Sequence, residues 1–334
     1  MASTNMKNIL ITGGAGFIGS YLAERLLRDN ENNVIVLDSL VNSNPRNIAH
    51  LLHYPNFAFL KFDITKPLEL EGVKEIEKFK IKFYGLQEIY HLACPTSAKN
   101  FDKFKIQTLE ANSLGTRNVC ELAVKYKAKI VLASSSVVYG HRPADGHYFK
   151  EEDVGVVDHL TPRGCYDEGK RFAETILATY EQVYGIDAKI ARIFRTFGPR
   201  QRLFDGEMIP DFILDALEGR DLVIYGDENF LTTLCFVSDI VDGMIRLMDA
   251  PKGSGAVNLG SNNDIKLVEV ANKIIELTGS SSKVVFEKPL LFMTQLGIPD
   301  VRKAKELLGW LPLVTLENGL KEAIDYTRAN KSAL

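Results

Sequence analysis

This sequence has almost no net charge, no long apolar run and few cysteines. Its 40 Lys and Arg stand against 43 Asp and Glu, a net charge of −3. That balance gives no electrostatic reason to expect nucleic acid or an anionic membrane as partner. No apolar run approaches the ~20 residues needed to span a bilayer. The polar stretch Met1–Asn8 leads into a strand without a secretory hydrophobic segment. Four cysteines (Cys94, Cys120, Cys165, Cys235) are widely spaced and form no CxxC pair. They read as reduced thiols of a cytoplasmic protein and exclude a disulfide scaffold or a structural zinc site. His141, His147 and His159 lie in a polar loop at spacings that match no metal template, so no metal is expected. What remains, 46% hydrophobic and 25% charged residues in a chain of 334, is an ordinary globular protein with enough chain for a substantial core.

Short apolar runs alternate with helical patterns through the first half. Strands are expected at Asn8–Thr12, Val34–Leu37, Phe57–Phe62, Glu88–Leu92, Lys129–Ala133 and Asp187–Ile193, with helices notably at Phe104–Tyr126 and 166–184. Strands alternating with helices imply an α/β fold, a Rossmann-like doubly wound parallel sheet. After Phe194 the segments shorten and turns crowd in, as at Phe197-Gly198-Pro199 and Tyr225-Gly226-Asp227. The expected organisation is a nucleotide-binding domain over 1–194, with 235–250 returning to it. The rest of 195–334 is read as a smaller, mixed α/β substrate-binding lid. Residues 66–87, rich in Lys and Glu, read as an exposed helical insertion.

Gly13, Gly16 and Gly19 form a GxxGxxG turn between the first strand and a helix that starts near Phe17 and Ile18. Small residues there let backbone N–H groups approach a pyrophosphate at the helix N-terminus. Asp38 ends the next strand, about twenty residues on, where a carboxylate accepts from the adenosine ribose. A carboxylate there repels a 2′-phosphate, so the cofactor read from these residues is NAD. Asp63, followed by Ile64, ends the third strand. It suits either the adenine amine or a turn cap before Thr65 and Pro67.

Tyr166 and Lys170 are four residues apart, on one helix face. An ammonium beside a phenol stabilises the phenolate, which can take an alcohol proton as hydride leaves for the nicotinamide. The triple serine Ser134-Ser135-Ser136 at the end of the fifth strand offers a hydroxyl to hold the alcohol oxygen.

With these residues, the segments His91-Leu92-Ala93-Cys94-Pro95, Asn112-Ser113-Leu114-Gly115-Thr116, Val138-Tyr139-Gly140, Cys165–Lys170, Phe197-Gly198-Pro199-Arg200 and Val237-Ser238-Asp239 resemble the extended short-chain dehydrogenase/reductases that act on nucleotide sugars. The resemblance covers nearly the whole chain and is closest to the UDP-glucuronate decarboxylases. It implies Tyr166 as base, Lys170 as its partner and ribose anchor, and Ser135 as hydroxyl donor. It also implies that Leu92, Ala93 and Asn112 help line the cofactor site, that a sugar is oxidised at C4, and that the helices at 104–126 and 166–184 form a homodimer.

The chain departs from that pattern in the substrate half. The carboxylate expected just before Val-Tyr-Gly is Val137, with Ser136 beside it. The arginine expected ahead of Val-Ser-Asp is Thr232, a second one is Gly297, and the asparagine after Arg-Ile-Phe is Arg195. Arg195, Arg200 and Arg202 are the candidate replacement ligands for the diphosphate. The resulting expectation is an NAD-dependent nucleotide-sugar enzyme of epimerase or dehydrogenase type. A UDP-glucuronate decarboxylase and a non-catalytic NAD-binding sensor remain the alternatives.

Overall fold

The computed structural model describes residues 6–96, 101–143, 146–203, 205–289 and 296–331; Met1–Asn5 and the final residues 332–334 lie outside them. The first half contains β1 (Lys7–Thr12), α1 (Phe17–Leu27), β2 (Asn32–Asp38), β3 (Phe57–Lys61), β4 (Glu88–His91), α2 (Phe101–Glu110), α3 (Thr116–Tyr126), β5 (Lys129–Ser135), α4 (Gly164–Tyr184) and β6 (Ala188–Ile193). Later come α5 (Met208–Leu217), β7 (Leu222–Tyr225), α6 (Val237–Asp249), β8 (Gly255–Leu259), α7 (Leu267–Thr278), β9 (Val284–Glu287) and α8 (Leu316–Asn330).

Seven strands form one parallel sheet in the order β8-β6-β5-β4-β1-β2-β3. Every residue of β2 is buried, as a strand covered by helices on both faces requires. In α1 the buried residues Leu22, Ala23, Leu26 and Leu27 recur at helical spacing and pack on the sheet. The chain runs outward from β1 to β2 and β3, then restarts on the other side at β4. A crevice opens where that order reverses, beyond the strand C-termini.

The expected strands are all present, with shifts at their ends. The expected helix at 104–126 is two helices, α2 and α3, joined by a π-helical turn at Ala111–Gly115; such a turn widens a helix locally and is common at functional sites. The expectation for 66–87 is corrected. The segment holds a 3₁₀ turn at Lys74–Phe79 and a short helix at Ile81–Tyr84. Its Leu68, Leu70, Ile76 and Phe79 are buried in the core under β2 and β4, so charge richness hides an apolar underside.

In the later half, α6 packs against α1, β5 and β6, and β8 extends the sheet beside β6. The sheet therefore draws its seventh strand from 255–259, beyond the 235–250 segment expected to return. Around it, β7 pairs with β9, and α5, α7 and α8 pack on one another. No helix among the described residues is long and apolar enough to cross a membrane.

Candidate active site

A cavity of about 1110 Å³ opens at the C-terminal ends of the strands, between the sheet and the later half. One end is built by the glycine turn after β1. Gly13 has φ +73°, and a Cβ there would stand 2.8 Å from the Ala93 backbone. A Cβ on Gly19 would stand 2.3 Å from the Gly13 carbonyl oxygen. These two glycines let strand, helix and the β4 loop close on each other. Gly16 differs: its Cβ direction meets only the Gly13 oxygen, at 3.1 Å, so this side of the turn is open for a ligand to approach the backbone. Phe17 and Ile18 begin α1 and line the same end.

Asp38 is buried at the end of β2. Its Oδ2 accepts from Ala15 N at 3.0 Å, and its Oδ1 from Leu40 N at 2.9 Å and from the Ser43 hydroxyl at 2.6 Å. These donors fix the carboxylate at the cavity, and carboxylate oxygens keep further acceptor capacity. The residues thus fit an adenosine ribose at Asp38 and a pyrophosphate over Gly16. Asp63 lines the cavity too, and its Oδ1 accepts from Thr65 N at 2.9 Å; turn capping is the role its contacts record. Ile64, Leu92 and Ala93 complete this end. Asn112 lies just behind the wall, on the π-helical turn. Its amide donates to Cys94 Sγ at 3.1 Å and to the Thr108 carbonyl at 2.9 Å.

At the middle of the cavity Ser135, Ser136, Tyr166 and Lys170 come together. The Ser135 hydroxyl hydrogen-bonds the Tyr166 phenol and accepts from Val137 N at 3.4 Å. Lys170 Nζ donates to the Ala133 carbonyl at 2.8 Å and stands 5.9 Å from the Tyr166 ring centroid. Burial pushes the Tyr166 pKa well up, and nearby Cys94 adds to this; the Ser135 hydrogen bond and Arg163 pull the other way. Lys170 is therefore not the leading influence on the phenol within the chain itself. The site still brings a phenol, a serine hydroxyl and a buried ammonium to one place.

Val137, the position where the family resemblance leads one to expect a carboxylate, is buried in the 3₁₀ turn Ser136–Tyr139 and presents an apolar group to the cavity. Gly297 abuts the Phe149 ring, and a Cβ there would stand 2.2 Å from it. No longer side chain fits at 297 unless that ring, stacked on Tyr139 at 4.6 Å, moves. Thr232 is buried beside a small recess that Arg195 and Gly297 also line.

The three arginines all line the cavity but reach different partners. Arg200 ion-pairs with Glu24 on α1 and lies 4.4 Å over the Tyr21 ring. Arg202 donates to Asn42 in the loop after β2. Arg195 alone turns toward Met208, at 3.4 Å, and toward Glu207. Sequence reasoning missed Glu207, Asp205, Asp211 and Arg163, which share this wall. The signal available was the acidic residue just ahead of the apolar helical pattern of α5. It also missed Phe212, Val223, Ile224 and Tyr225, which give the far end of the cavity an apolar lining.

Residues 9–260 match the model of the NAD dependent epimerase/dehydratase family. Over 328 residues the chain is 40% identical to UDP-glucuronic acid decarboxylase 1 of Xenopus tropicalis, covering 98% of this chain and 74% of that protein. It is 37% identical to UDP-glucuronic acid decarboxylase 3 of Arabidopsis thaliana over 320 residues, 95% of this chain and 87% of that one. Among solved structures, UDP-glucose 4-epimerase of Thermotoga maritima with UDP-glucose superposes with a TM-score of 0.84 at 26% identity, covering 97% of this chain and 99% of that chain. UDP-glucuronic acid 4-epimerase of Bacillus cereus, in complex with UDP-glucuronic acid and NAD, gives 0.83 at 25% identity, covering 96% and 99%.

Proposed function

This chain belongs to the NAD-dependent epimerase/dehydratase family, and from that premise we propose that it oxidises a nucleotide sugar at C4 and lets the keto sugar be reduced again or released. The observation that carries this reading is the Ser135–Tyr166 hydrogen bond with Lys170 beneath it, at the centre of the cavity. NAD, held by the glycine turn and Asp38, supplies the hydride acceptor. Ser135 holds the C4 hydroxyl oxygen while Tyr166, as phenolate, takes its proton. The C4 hydrogen leaves with its electron pair as the C–O double bond forms. Lys170 supplies the positive charge that a buried phenolate needs. Running the same steps backward on the other face of the sugar inverts C4.

Val137 supports epimerisation or net oxidation over chemistry at C5 or C6, because an apolar side chain can neither take nor give a proton. The apolar end formed by Phe212, Val223 and Tyr225 suits a nucleobase. Exposed Ile106 and Leu109 on α2 and Phe172 and Val183 on α4 support a face for a second copy. The second reading, a UDP-glucuronate decarboxylase, is favoured by the 34–40% identity to proteins of that name. Mass spectrometry of products from UDP-, GDP-, dTDP- and CDP-sugars separates the two. A product of unchanged mass and new retention, or one short of two hydrogens, is expected; loss of carbon dioxide from UDP-glucuronate selects the second reading. Tyr166→Phe should lower turnover by about 10²–10⁴-fold and leave NAD binding intact. An active Tyr166→Phe protein would show that the base lies elsewhere.

A further inference from the structure

Side chains from three separate loops meet over the cofactor end of the cavity. In the parallel sheet β1 lies between β2 and β4. The loops that follow β2 and β4 therefore leave the same edge of the sheet, on either side of the glycine turn. Those two strands are about 10 Å apart, yet their loops touch. Asn42, in the loop after β2, donates through Nδ2 to the Thr96 carbonyl, in the loop after β4. That contact crosses the C-terminal end of β1. Gly13, Gly16, Asn42 and Thr96 all line the cavity, so the crossing roofs the crevice whose floor is the glycine turn. A dinucleotide with its adenosine at Asp38 and its nicotinamide at Tyr166 has to pass between floor and roof.

Both ends of the Asn42 amide are engaged. Its Oδ1 accepts from Arg202 Nη1 at 2.5 Å, so a third loop, beyond β6, ties onto the same side chain. That third loop is pinned by Arg200, which ion-pairs with Glu24 and covers the Tyr21 ring on α1. The loop carrying Asn42 is held by Asp38, whose Oδ1 takes the Leu40 N–H and the Ser43 hydroxyl. Leu40 and Arg200 are both left-handed, at φ +61° and +66°. Residues with a side chain keep that costly conformation only where surrounding contacts fix it.

We propose that Asn42, clamped between Arg202 and the Thr96 carbonyl, is a strap across the pyrophosphate crevice, and that NAD enters and leaves only when the strap opens. The strap acts on exchange rather than on affinity. Its hydrogen bonds join groups of the chain itself, so they raise the barrier to entry and to exit alike. Arg202 acts through Asn42 and is a positioning residue. The inference rests on NAD as the cofactor and is independent of which sugar is turned over.

The test is stopped-flow fluorescence on the full chain. Mixing with NADH gives the association rate, and displacement of bound NADH by excess NAD gives the dissociation rate. Asn42→Ala removes one charge-assisted and one neutral hydrogen bond, so both rates should rise about tenfold while the dissociation constant stays within about twofold. Arg202→Ala should speed both rates by a smaller factor, and should add nothing in the Asn42→Ala background. Asn42→Asp keeps the pair with Arg202 but sets a carboxylate against the Thr96 carbonyl, so it too should speed exchange. In the wild type the association rate should level off with rising NADH, at the rate of strap opening, and this decides the matter even if a variant fails to fold. A wild-type rate that rises linearly throughout overturns the proposal. So do unchanged rates in Asn42→Ala, or independent effects of the two substitutions. Faster dissociation with unchanged association also overturns it, by showing that Asn42 or Arg202 binds the cofactor directly.

Discussion

Glu174→Gln should lower both stability and turnover, because Glu174 ties the helix of the proposed catalytic pair, Tyr166 and Lys170, to two strands. It lies on α4 one turn beyond Lys170 and two beyond Tyr166, on the same face. Its Oε2 accepts from Arg192 Nη2 at 2.8 Å, and its Oε1 from Arg192 Nε at 3.1 Å and from the Ser134 hydroxyl at 2.5 Å. Arg192 also donates to the Tyr139 hydroxyl and the Glu151 carbonyl, each at 2.9 Å. One carboxylate therefore joins α4 to β5, next to Ser135, and to β6. Removing one partner of a buried pair costs about 3–5 kcal/mol. The two side chains remain 14% and 12% exposed, Arg192 keeps two acceptors and glutamine keeps one carbonyl. The discounted expectation is about 2 kcal/mol, or about 3 °C in the midpoint of thermal unfolding. Glu174→Leu with Arg192→Met, which leaves no orphaned charge, should recover most of that loss. Turnover should fall in both proteins while NAD affinity holds, since Ser135 and Tyr166 lose their common anchor. A midpoint change near zero, or a double variant less stable than Glu174→Gln, would refute the argument.

Two further predictions concern the cofactor half. His91 is buried between the hydroxyls of Thr12, at 2.7 Å, and Thr116, at 3.1 Å, and burial lowers its pKa to about 3, with Lys170 adding to the effect. The unfolded chain then binds the proton more readily, so this contribution is full above the ordinary histidine pKa and is lost as pH falls from about 6.5 toward 3 at up to about 1.4 kcal/mol per unit. His91→Gln should flatten that part of the stability–pH curve measured by urea unfolding, and an unchanged slope would contradict the assignment. Gly19→Ala places a methyl 2.3 Å from the Gly13 carbonyl oxygen and 2.7 Å from the Gly14 Cα; the turn must shift, and fluorescence titration should show NAD affinity reduced at least tenfold, against no change if the turn tolerates it.

How far the sequence could be read depends on whether each feature is local. The buried runs of β1, β2 and β5 announce themselves because a doubly covered strand is apolar throughout. The glycine turn and the Tyr166–Lys170 pair are set by spacings of three and four residues. By contrast, Gly255–Leu259 is a five-residue run after a glycine-rich turn, and only its pairing with β6 identifies it as the seventh strand. The buried underside of 66–87 is likewise invisible until it docks on the core, since its apolar residues are spaced among lysines and glutamates.

The substrate arm was the least legible part for the same reason. Arg200 finds its partner, Glu24, 176 residues away on α1, so a cluster of three arginines in sequence becomes three separate contacts in space. Position 297, where the family resemblance leads one to expect an arginine, looks in the sequence like a single exchange for glycine. In the fold it is coupled to Phe149, whose ring occupies the space a side chain there would need, and that ring stacks on Tyr139, which Arg192 binds in turn. An arginine placed at 297 alone would strike a ring locked into the network that anchors Glu174. Gly297, Phe149, Tyr139 and Arg192 thus form one packed unit rather than independent positions.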